Sequence, residues 1–252
     1  MEHISKKAQI GKNVTIGPWT IINDNVAIGD NTAIESHCVI GAKSKLAKGK
    51  LVIGANSYIR SHSVIYEGSQ FGQNLITGHS VLVRENCISG RNLQIGTGTD
   101  IEGDCEFGNY VKIHSQGHVS KKNKLGDFVW LFPRVQFTGD PLPPSDFHEG
   151  IIIKDMAVVA TGALLLPGTN IIGLGSFVAA GSVVKNNVPD IYCVAGNPAA
   201  VFARVDRFVS VKYKISYPWA KNFRTGYPPE SYPLMEKILA KIEDLIKKDS
   251  KK

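Results

Sequence analysis

The chain has 252 residues, 43% of them hydrophobic and 20% charged, a composition typical of a globular domain with or without an appendage. It contains no apolar run of the roughly 18 residues that cross a membrane, and its N-terminus lacks a signal-peptide core, so we expect a cytoplasmic protein. Part of the net charge of +7 comes from the tail KKDSKK. Because no basic helix or basic-aromatic stretch is present, we expect no nucleic-acid partner.

An apolar residue recurs every six positions along most of the chain. The series runs from Ile10 to Leu46, takes a one-residue insertion near KGK, and resumes from Ile53 to Phe137. Of its 22 positions only Thr77 and Ser89 are polar. An α-helix would repeat every 3.6 residues instead. The period predicts an all-β fold, a triangular solenoid in which three hexads form one coil and coils stack in parallel.

Two further positions of the hexad have a restricted composition. Glycine often follows the apolar residue, as at Gly72 and Gly126, which suits a corner that needs positive φ or close backbone approach. The fifth position tends to be small and includes Cys38, Cys87 and Cys105. We expect these cysteines to be buried hydrophobes rather than metal ligands.

The repeat stops at FTGDPLPPSDFHEGIII and resumes at Ile153, continuing to Val184. We predict a loop excursion at about 139–152 within a solenoid of about nine coils. Three prolines stiffen the segment. A long loop in a compact repeat fold is usually functional.

The solenoid domain is predicted to cover residues 1–198, and residues 199–252 form a C-terminal extension. Within the extension, apolar residues at helical spacing predict an amphipathic helix at about 230–248. We expect this helix to pack on the solenoid end or on a neighbouring subunit. A role at a membrane surface is the open alternative.

The hexad run, the loop and the closing VAAGSVV and AGNPA segments resemble the hexapeptide-repeat acyltransferases, over about four fifths of the chain. The resemblance implies a left-handed parallel β-helix, a homotrimer with sites between subunits, acetyl-CoA as co-substrate and no metal. The segment SHSVIYEGSQFGQNLITGHSVLVREN is similar to the subgroup that N-acetylates nucleotide-linked amino sugars for surface polysaccharides. That activity is the predicted function, with the amine attacking the thioester directly.

Residues 18 apart in an unbroken run should lie on one edge of the solenoid, which groups the candidate site residues. His79 and His114 are candidates for the base that accepts the amine proton or for orienting the sugar. Asp140, at the base of the loop, is the candidate for holding the amino group. The remaining predicted substrate-binding residues are Arg84, Glu85, Lys121 and His148.

The resemblance also implies where CoA binds. Its pantetheine amides would bond main-chain groups near Gly162 and Ala180, on the same corner as the histidines. Lys185, Arg204 and Arg207 are the candidates for contacting its phosphates.

Several alternatives remain open at this point. Gly103, Lys121 and Gly139 stand where similar sugar N-acetyltransferases present polar or acidic side chains, which is compatible with another sugar, another acyl donor or lost activity. O-acetylation and a non-catalytic scaffold are further possibilities. A zinc site of the carbonic-anhydrase-like kind would use His79, His114 and His118.

Overall fold

The computed structural model describes residues 3–251, and its main body is a triangular prism of short parallel strands. The first face holds His3–Ile4, Ile21–Ile22, Val39–Ala42, Val64–Tyr66, Leu82–Val83, Asp100–Ile101, His118–Val119, Gln136–Phe137, Leu164–Leu165 and Val183–Val184. The second face holds Gln9–Ile10, Val26–Ile28, Leu51–Ile53, Gln70–Phe71, Ile88–Ser89, Glu106–Phe107, Lys124–Leu125, Ile152–Ile153 and Ile171–Ile172. The third face holds Thr15–Ile16, Ala33–Ile34, Tyr58–Ile59, Ile76–Thr77, Gln94–Ile95, Lys112–Ile113, Trp130–Leu131, Val158–Val159, Phe177–Val178, Tyr192–Gly196 and Ala199–Arg204.

The three faces are sheets of ten, nine and eleven strands, and in the uninterrupted run each strand pairs with the one a full coil later. Val64 pairs with Leu82, for example, in parallel register. This arrangement confirms the predicted all-β solenoid. The last two strands of the third face, Tyr192–Gly196 and Ala199–Arg204, pair antiparallel, so this sheet continues beyond residue 198 to Arg204.

The core is a column of side chains that point inward from the successive coils of the prism. Ile40, Ile65 and Ile101 are fully buried within it. Thr77, a polar member of the hexad series, is also buried, and its hydroxyl accepts a hydrogen bond from the Arg60 backbone N–H at 3.0 Å. The repeat therefore tolerates a polar residue where the adjacent coil supplies a backbone partner.

Most of the corner glycines are explained by close approach and not by positive φ, and Gly41, with a φ of +80°, is an exception. Left-handed backbone occurs two positions later, for example at Asn74 and Gly98. A Cβ added to Gly72 would lie 2.6 Å from the carbonyl oxygen of Gly90 in the next coil. A Cβ added to Gly126 would lie 2.3 Å from Oδ1 of Asp155, which accepts the Asp127 backbone N–H. These glycines let adjacent coils stack closely.

Two loops leave the first edge, where the first face turns into the second. The earlier one, the lysine loop of residues 43–50, replaces the predicted one-residue insertion, and Leu46 is 55% exposed within it rather than inward. That part of the hexad assignment was wrong, because Leu51 and Ile53 supply the buried side chains of this coil. The later one, the proline loop of residues 138–151, lies where the sequence predicted an excursion.

The C-terminal extension packs on the solenoid of its own chain. Its elements are the hairpin Val209–Ser210 and Ile215–Ser216, the 3-10 turns Val205–Arg207, Trp219–Lys221 and Pro229–Ser231, and the α-helix Tyr232–Asp249. Trp219, Met235 and Ile238 form a second apolar cluster with Phe128 and Met156 of the solenoid. Among residues 3–251 no helix has both the length and the apolar character that crossing a bilayer requires.

The stacking constraint can be tested by giving a Cβ to one corner glycine. Gly72→Ala should lower the free energy of unfolding by about 1–3 kcal/mol, because the methyl group would press on the backbone of Gly90. Gly117→Ala is the control, since its Cβ would meet atoms no closer than 3.6 Å. Denaturant unfolding measures both variants, and equal stabilities would contradict the explanation.

Candidate functional site

The proline loop covers a cavity of about 250 Å³ on the first edge. Asp140 and His148, two of the predicted site residues, line it together. Its other lining residues include Glu102, His118, Ser120 and Gln136. The cavity therefore combines an imidazole and carboxylates under a long loop, a combination typical of a reactive site.

His118 has the geometry of an oriented proton acceptor. Its Nδ1 lies 3.2 Å from Oδ2 of Asp100, and its Nε2 lies 4.0 Å from Oε1 of Glu102. When Nδ1 donates to Asp100, Nε2 carries the lone pair. Sequence reasoning considered His118 only as a zinc ligand. The available signal was that Asp100 and His118 lie 18 residues apart in the same column of outward-facing strand positions.

Asp140 holds the proline loop in place. Its carboxylate accepts hydrogen bonds from the backbone N–H groups of Leu142 and Ser145, at 3.0 and 2.7 Å, and from the Ser145 hydroxyl at 2.6 Å. The bond from that hydroxyl lowers the pKa of Asp140 below its usual value. Lys122 Nζ donates to the backbone oxygen of His148 at 3.4 Å, which ties the far end of the loop to the coil beneath.

The remaining substrate-binding candidates lie on the same edge with different exposure. Glu85 is fully buried, and its Oε1 accepts a hydrogen bond from Arg84 Nη2 at 3.2 Å. A fully buried side chain has no surface for a substrate. The adjacent Asn86 accepts a hydrogen bond from the backbone N–H of Lys48 in the lysine loop. Lys121 is half-buried two coils further along this edge.

His79 lies on the third edge, where the third face turns into the first, and it belongs to a polar cluster. Its Nδ1 is 2.9 Å from the Ser61 hydroxyl and 3.7 Å from Oε2 of Glu35. Glu35 also accepts the hydroxyl of Tyr58, and that bond is the main reason why the pKa of Glu35 is lowered. Half of the His79 side chain is exposed to solvent.

His114 lies further along the third edge in an aromatic environment. Its ring stacks on Phe132 and Trp130, with centroids 5.1 and 5.8 Å away. Burial, with a smaller contribution from the charge of Lys112, lowers the pKa of His114 below the usual 6.5. The ring is therefore neutral at pH 7. It lines a groove of about 310 Å³ on the third face.

The predicted site residues, catalytic and substrate-binding, fall into two groups on different edges of the prism. His79 and His114 are on the third edge, whereas Asp140 and His148 are on the first. The first face lies between these edges. One chain therefore does not assemble the predicted site by itself.

The predicted CoA strip is open along the C-terminal coils. Gly162 and Ala180 are exposed, and a Cβ added to Gly162 would meet no atom within 4 Å. Its φ of +69° explains the glycine. Arg204 is different, because its side chain is only 10% exposed and it pairs with Asp206 at 2.6 Å and Asp249 at 3.0 Å. Lys185 and Arg207 are exposed.

The three histidines of the zinc alternative have separate surroundings. His79 bonds to Ser61, His114 stacks on aromatic rings, and His118 faces Asp100. Within the described chain, no group of three or more His, Cys, Asp and Glu side chains is placed to hold a metal ion.

Comparison with known sequences identifies the repeat and a set of relatives. The profile of the bacterial transferase hexapeptide (six repeats) matches residues 7–42. The serine acetyltransferase of Bacillus subtilis is 36% identical over 107 residues, 42% of this chain and 48% of that protein. The 2,3,4,5-tetrahydropyridine-2,6-dicarboxylate N-acetyltransferase of Clostridium perfringens is 42% identical over 73 residues, 29% of this chain and 30% of that protein. The chain thus spans less than half the length of these relatives.

Solved structures with a similar fold are also found. A UDP-N-acetylglucosamine acyltransferase from Arabidopsis superimposes with a TM-score of 0.55 at 17% identity, covering 81% of this chain and 72% of that chain. One from Bacteroides fragilis gives a TM-score of 0.50 at 21% identity, covering 96% and 89%. At these identities the likeness concerns the fold, and with the repeat profile it supports the left-handed β-helix.

The lowered pKa of His114 predicts how the imidazole and the protein respond to acid. The unfolded chain binds a proton near pH 6.5, whereas the buried ring resists it, so the contribution of His114 to stability falls as the pH drops below 6.5. NMR titration of the imidazole should give a pKa below 6.5, and His114→Gln identifies the signal. Titration at or above 6.5 would show that the ring is not desolvated.

Proposed function

We propose that this chain, a hexapeptide-repeat protein whose curated relatives are acyltransferases, is itself an acyl-CoA-dependent acyltransferase that uses acetyl-CoA. The observation that carries the proposal is the cavity under the proline loop. There an imidazole with a carboxylate partner, His118 with Asp100, faces the loop residues Asp140 and His148. Acyl transfer to an amine or a hydroxyl needs such a proton acceptor.

The proposed acceptor is the amino group of a nucleotide-linked sugar. Two relatives support separate elements of this choice. One is named an N-acetyltransferase, which supports the nitrogen acceptor. The other, from Bartonella bacilliformis, is named an acyl-[acyl-carrier-protein]–UDP-N-acetylglucosamine O-acyltransferase, which supports a nucleotide-linked sugar but names an oxygen acceptor. The segment at residues 61–86, similar to that of sugar N-acetyltransferases, supports the same choice. The serine acetyltransferase relative favours a second candidate, transfer to a hydroxyl in the same cavity.

In the proposed reaction the amine nitrogen attacks the thioester carbonyl, the carbon–sulfur bond breaks, and CoA leaves as a thiolate. His118 accepts the proton lost by the nitrogen at Nε2, and the thiolate is then protonated. Asp100 orients the imidazole and stabilises its charged form. All four cysteines are buried, and burial raises the pKa of Cys193 to about 12, so direct attack is favoured over an acyl-cysteine intermediate.

The two groups of site residues meet in this proposal through a second copy of the chain. A homotrimer would place the third edge of one subunit, with His79 and His114, against the first edge of its neighbour, with Asp140, Lys121 and Arg84. CoA would lie along the open strip at Gly162 and Ala180, with its phosphates near Lys185 and Arg207. Arg204, held by two carboxylates, would support the strip rather than bind phosphate.

Binding of acetyl-CoA is the first test. Titration calorimetry should show micromolar affinity, and Ala180→Tyr should weaken it about tenfold or more by filling the exposed strip. Ile88→Tyr, at an exposed outward position of the second face, away from the strip and from Arg207, is a control for added aromatic surface. Absence of binding at millimolar acetyl-CoA would count against the acyltransferase proposal.

The proton acceptor can be tested separately, with steady-state turnover as the readout. His118→Gln should lower kcat about 100-fold or more, while acetyl-CoA affinity stays within about twofold. His3→Gln is the matched control, since His3 is an exposed histidine in the corresponding outward position of the first face. Normal turnover by His118→Gln would eliminate His118 as the base.

Asp140 is predicted to act through the loop. Asp140→Asn replaces an acceptor of three hydrogen bonds by a side chain that also donates, so the loop should loosen over the cavity. We expect kcat to fall about tenfold or more with acetyl-CoA affinity nearly unchanged. Asp146→Asn, at an exposed position of the same loop, is the control. Full turnover by Asp140→Asn would remove this residue from the site.

A further inference from the structure

The groove on the third face has a different chemistry from the cavity under the proline loop. It runs across the coils from Arg60 to Trp130, with Lys112 and His114 along its length. Gly78 and Gly96 form part of its floor. A Cβ on either glycine would lie 2.3–2.4 Å from a backbone nitrogen of the next coil, so this floor cannot carry side chains.

The groove carries positive charge and no carboxylate. Its lining contains Arg60 and Lys112, and none of the lining residues is Asp or Glu. Hydroxyl and amide groups supply its other polar atoms, among them those of Thr97, Ser115 and Gln94. Groups of this kind donate hydrogen bonds to anions.

Lys112 is a half-buried cation without a carboxylate partner in the described part of the chain. Its Nζ lies 4.1 Å from the ring centroid of Tyr227 and 5.0 Å from that of Trp130, and it donates to the backbone oxygen of Gly226 at 2.9 Å. Burial lowers the pKa of this amine, because desolvation disfavours its charge. Cation–π contacts offset part of that cost, but no anion neutralises the charge.

Arg60 and Trp130 lie at the two ends of the groove. The Arg60 guanidinium lies over the ring of Tyr58, at 5.5 Å, and its charge contributes to the lowered pKa of Glu35, but within residues 3–251 it forms no direct ion pair. The indole N–H of Trp130 is buried and lacks a partner in the same part of the chain. An anion bound in the groove would lie close to the charges of both Arg60 and Lys112.

We propose that the groove on the third face binds the phosphate groups of a nucleotide, between Arg60 and Lys112. Its volume of about 310 Å³ is at the lower end of the range for small-molecule sites, and the rings of Trp130 and His114 offer an aromatic surface for a base. Two ligands of the proposed reaction carry such phosphates: the sugar nucleotide and CoA. The binding site itself does not depend on the acyl transfer proposed above.

Direct binding measurements test the groove without any assay of turnover. UDP, GDP and CoA are titrated into the full-length protein and into Arg60→Gln, Lys112→Met and Lys124→Met. Lys124 is the matched control, because it occupies an outward strand position on the second face and pairs with Glu106. Thermal unfolding checks that every variant is folded.

We expect at least one nucleotide to bind, with Kd raised about tenfold or more by Arg60→Gln and by Lys112→Met and unchanged by Lys124→Met. Because the contacts are between charges, nucleotide binding should also weaken as the salt concentration rises. Binding of UDP or GDP would assign the groove to the sugar nucleotide, and binding of CoA alone would assign it to the acyl donor.

Three results would overturn the inference. They are binding of none of the three nucleotides, binding that neither variant weakens, and weakening by Lys112→Met alone. In the last case the loss would be attributed to the aromatic packing around Lys112, because Arg60 is exposed and its replacement leaves that packing intact.

Discussion

The close stacking of coils is the constraint on which the rest of the molecule depends. Coils of a parallel β-helix are spaced by about 4.8 Å, so the edge of one coil lies directly on the next. At Gly72 and Gly126 this leaves no room for a Cβ. Extra residues can be accommodated only by leaving the prism at an edge, and both long loops leave at the first edge. The same spacing aligns residues of successive coils into columns, such as Asp100 with His118.

The repeat could be predicted from the sequence because the buried residues recur every six positions. At one position, however, an apolar residue that fits this period is not buried. Leu46 is apolar and falls on the hexad count, yet it lies in the lysine loop, since Leu51 and Ile53 fill the core. The six-residue period alone cannot distinguish an inward-pointing residue from an apolar residue of a loop that happens to fall on the same count. The proline loop was recognisable because prolines and charges interrupt the count.

The site residues could be predicted where their contacts are to residues close in sequence or to residues one coil away in the same column. Asp140 and His148 belong to one loop, and the structure brings them to one cavity. Arg204 pairs with Asp249, which lies 45 residues away on the C-terminal helix. No repeat relates the extension to the solenoid, so this pairing has no signature in the sequence. Glu85 belongs to an edge column that sequence reasoning assigned to substrate binding, yet its side chain is fully buried, and the period carries no information on that burial.

The C-terminal extension covers the apolar edge of the prism where the second face turns into the third, and it has a further structural role. Tyr227 and Gly226 hold Lys112, and Phe223 and Trp219 pack around Trp130, so the extension supports two of the residues that line the groove on the third face. The positive charge in that groove is therefore positioned by residues more than 100 positions apart in the chain. Carboxylates are concentrated instead around His118 on the first face, where the proposed proton transfer would use them. This separation suits two tasks that conflict electrostatically, since carboxylates that stabilise a protonated histidine would repel the phosphates of a nucleotide.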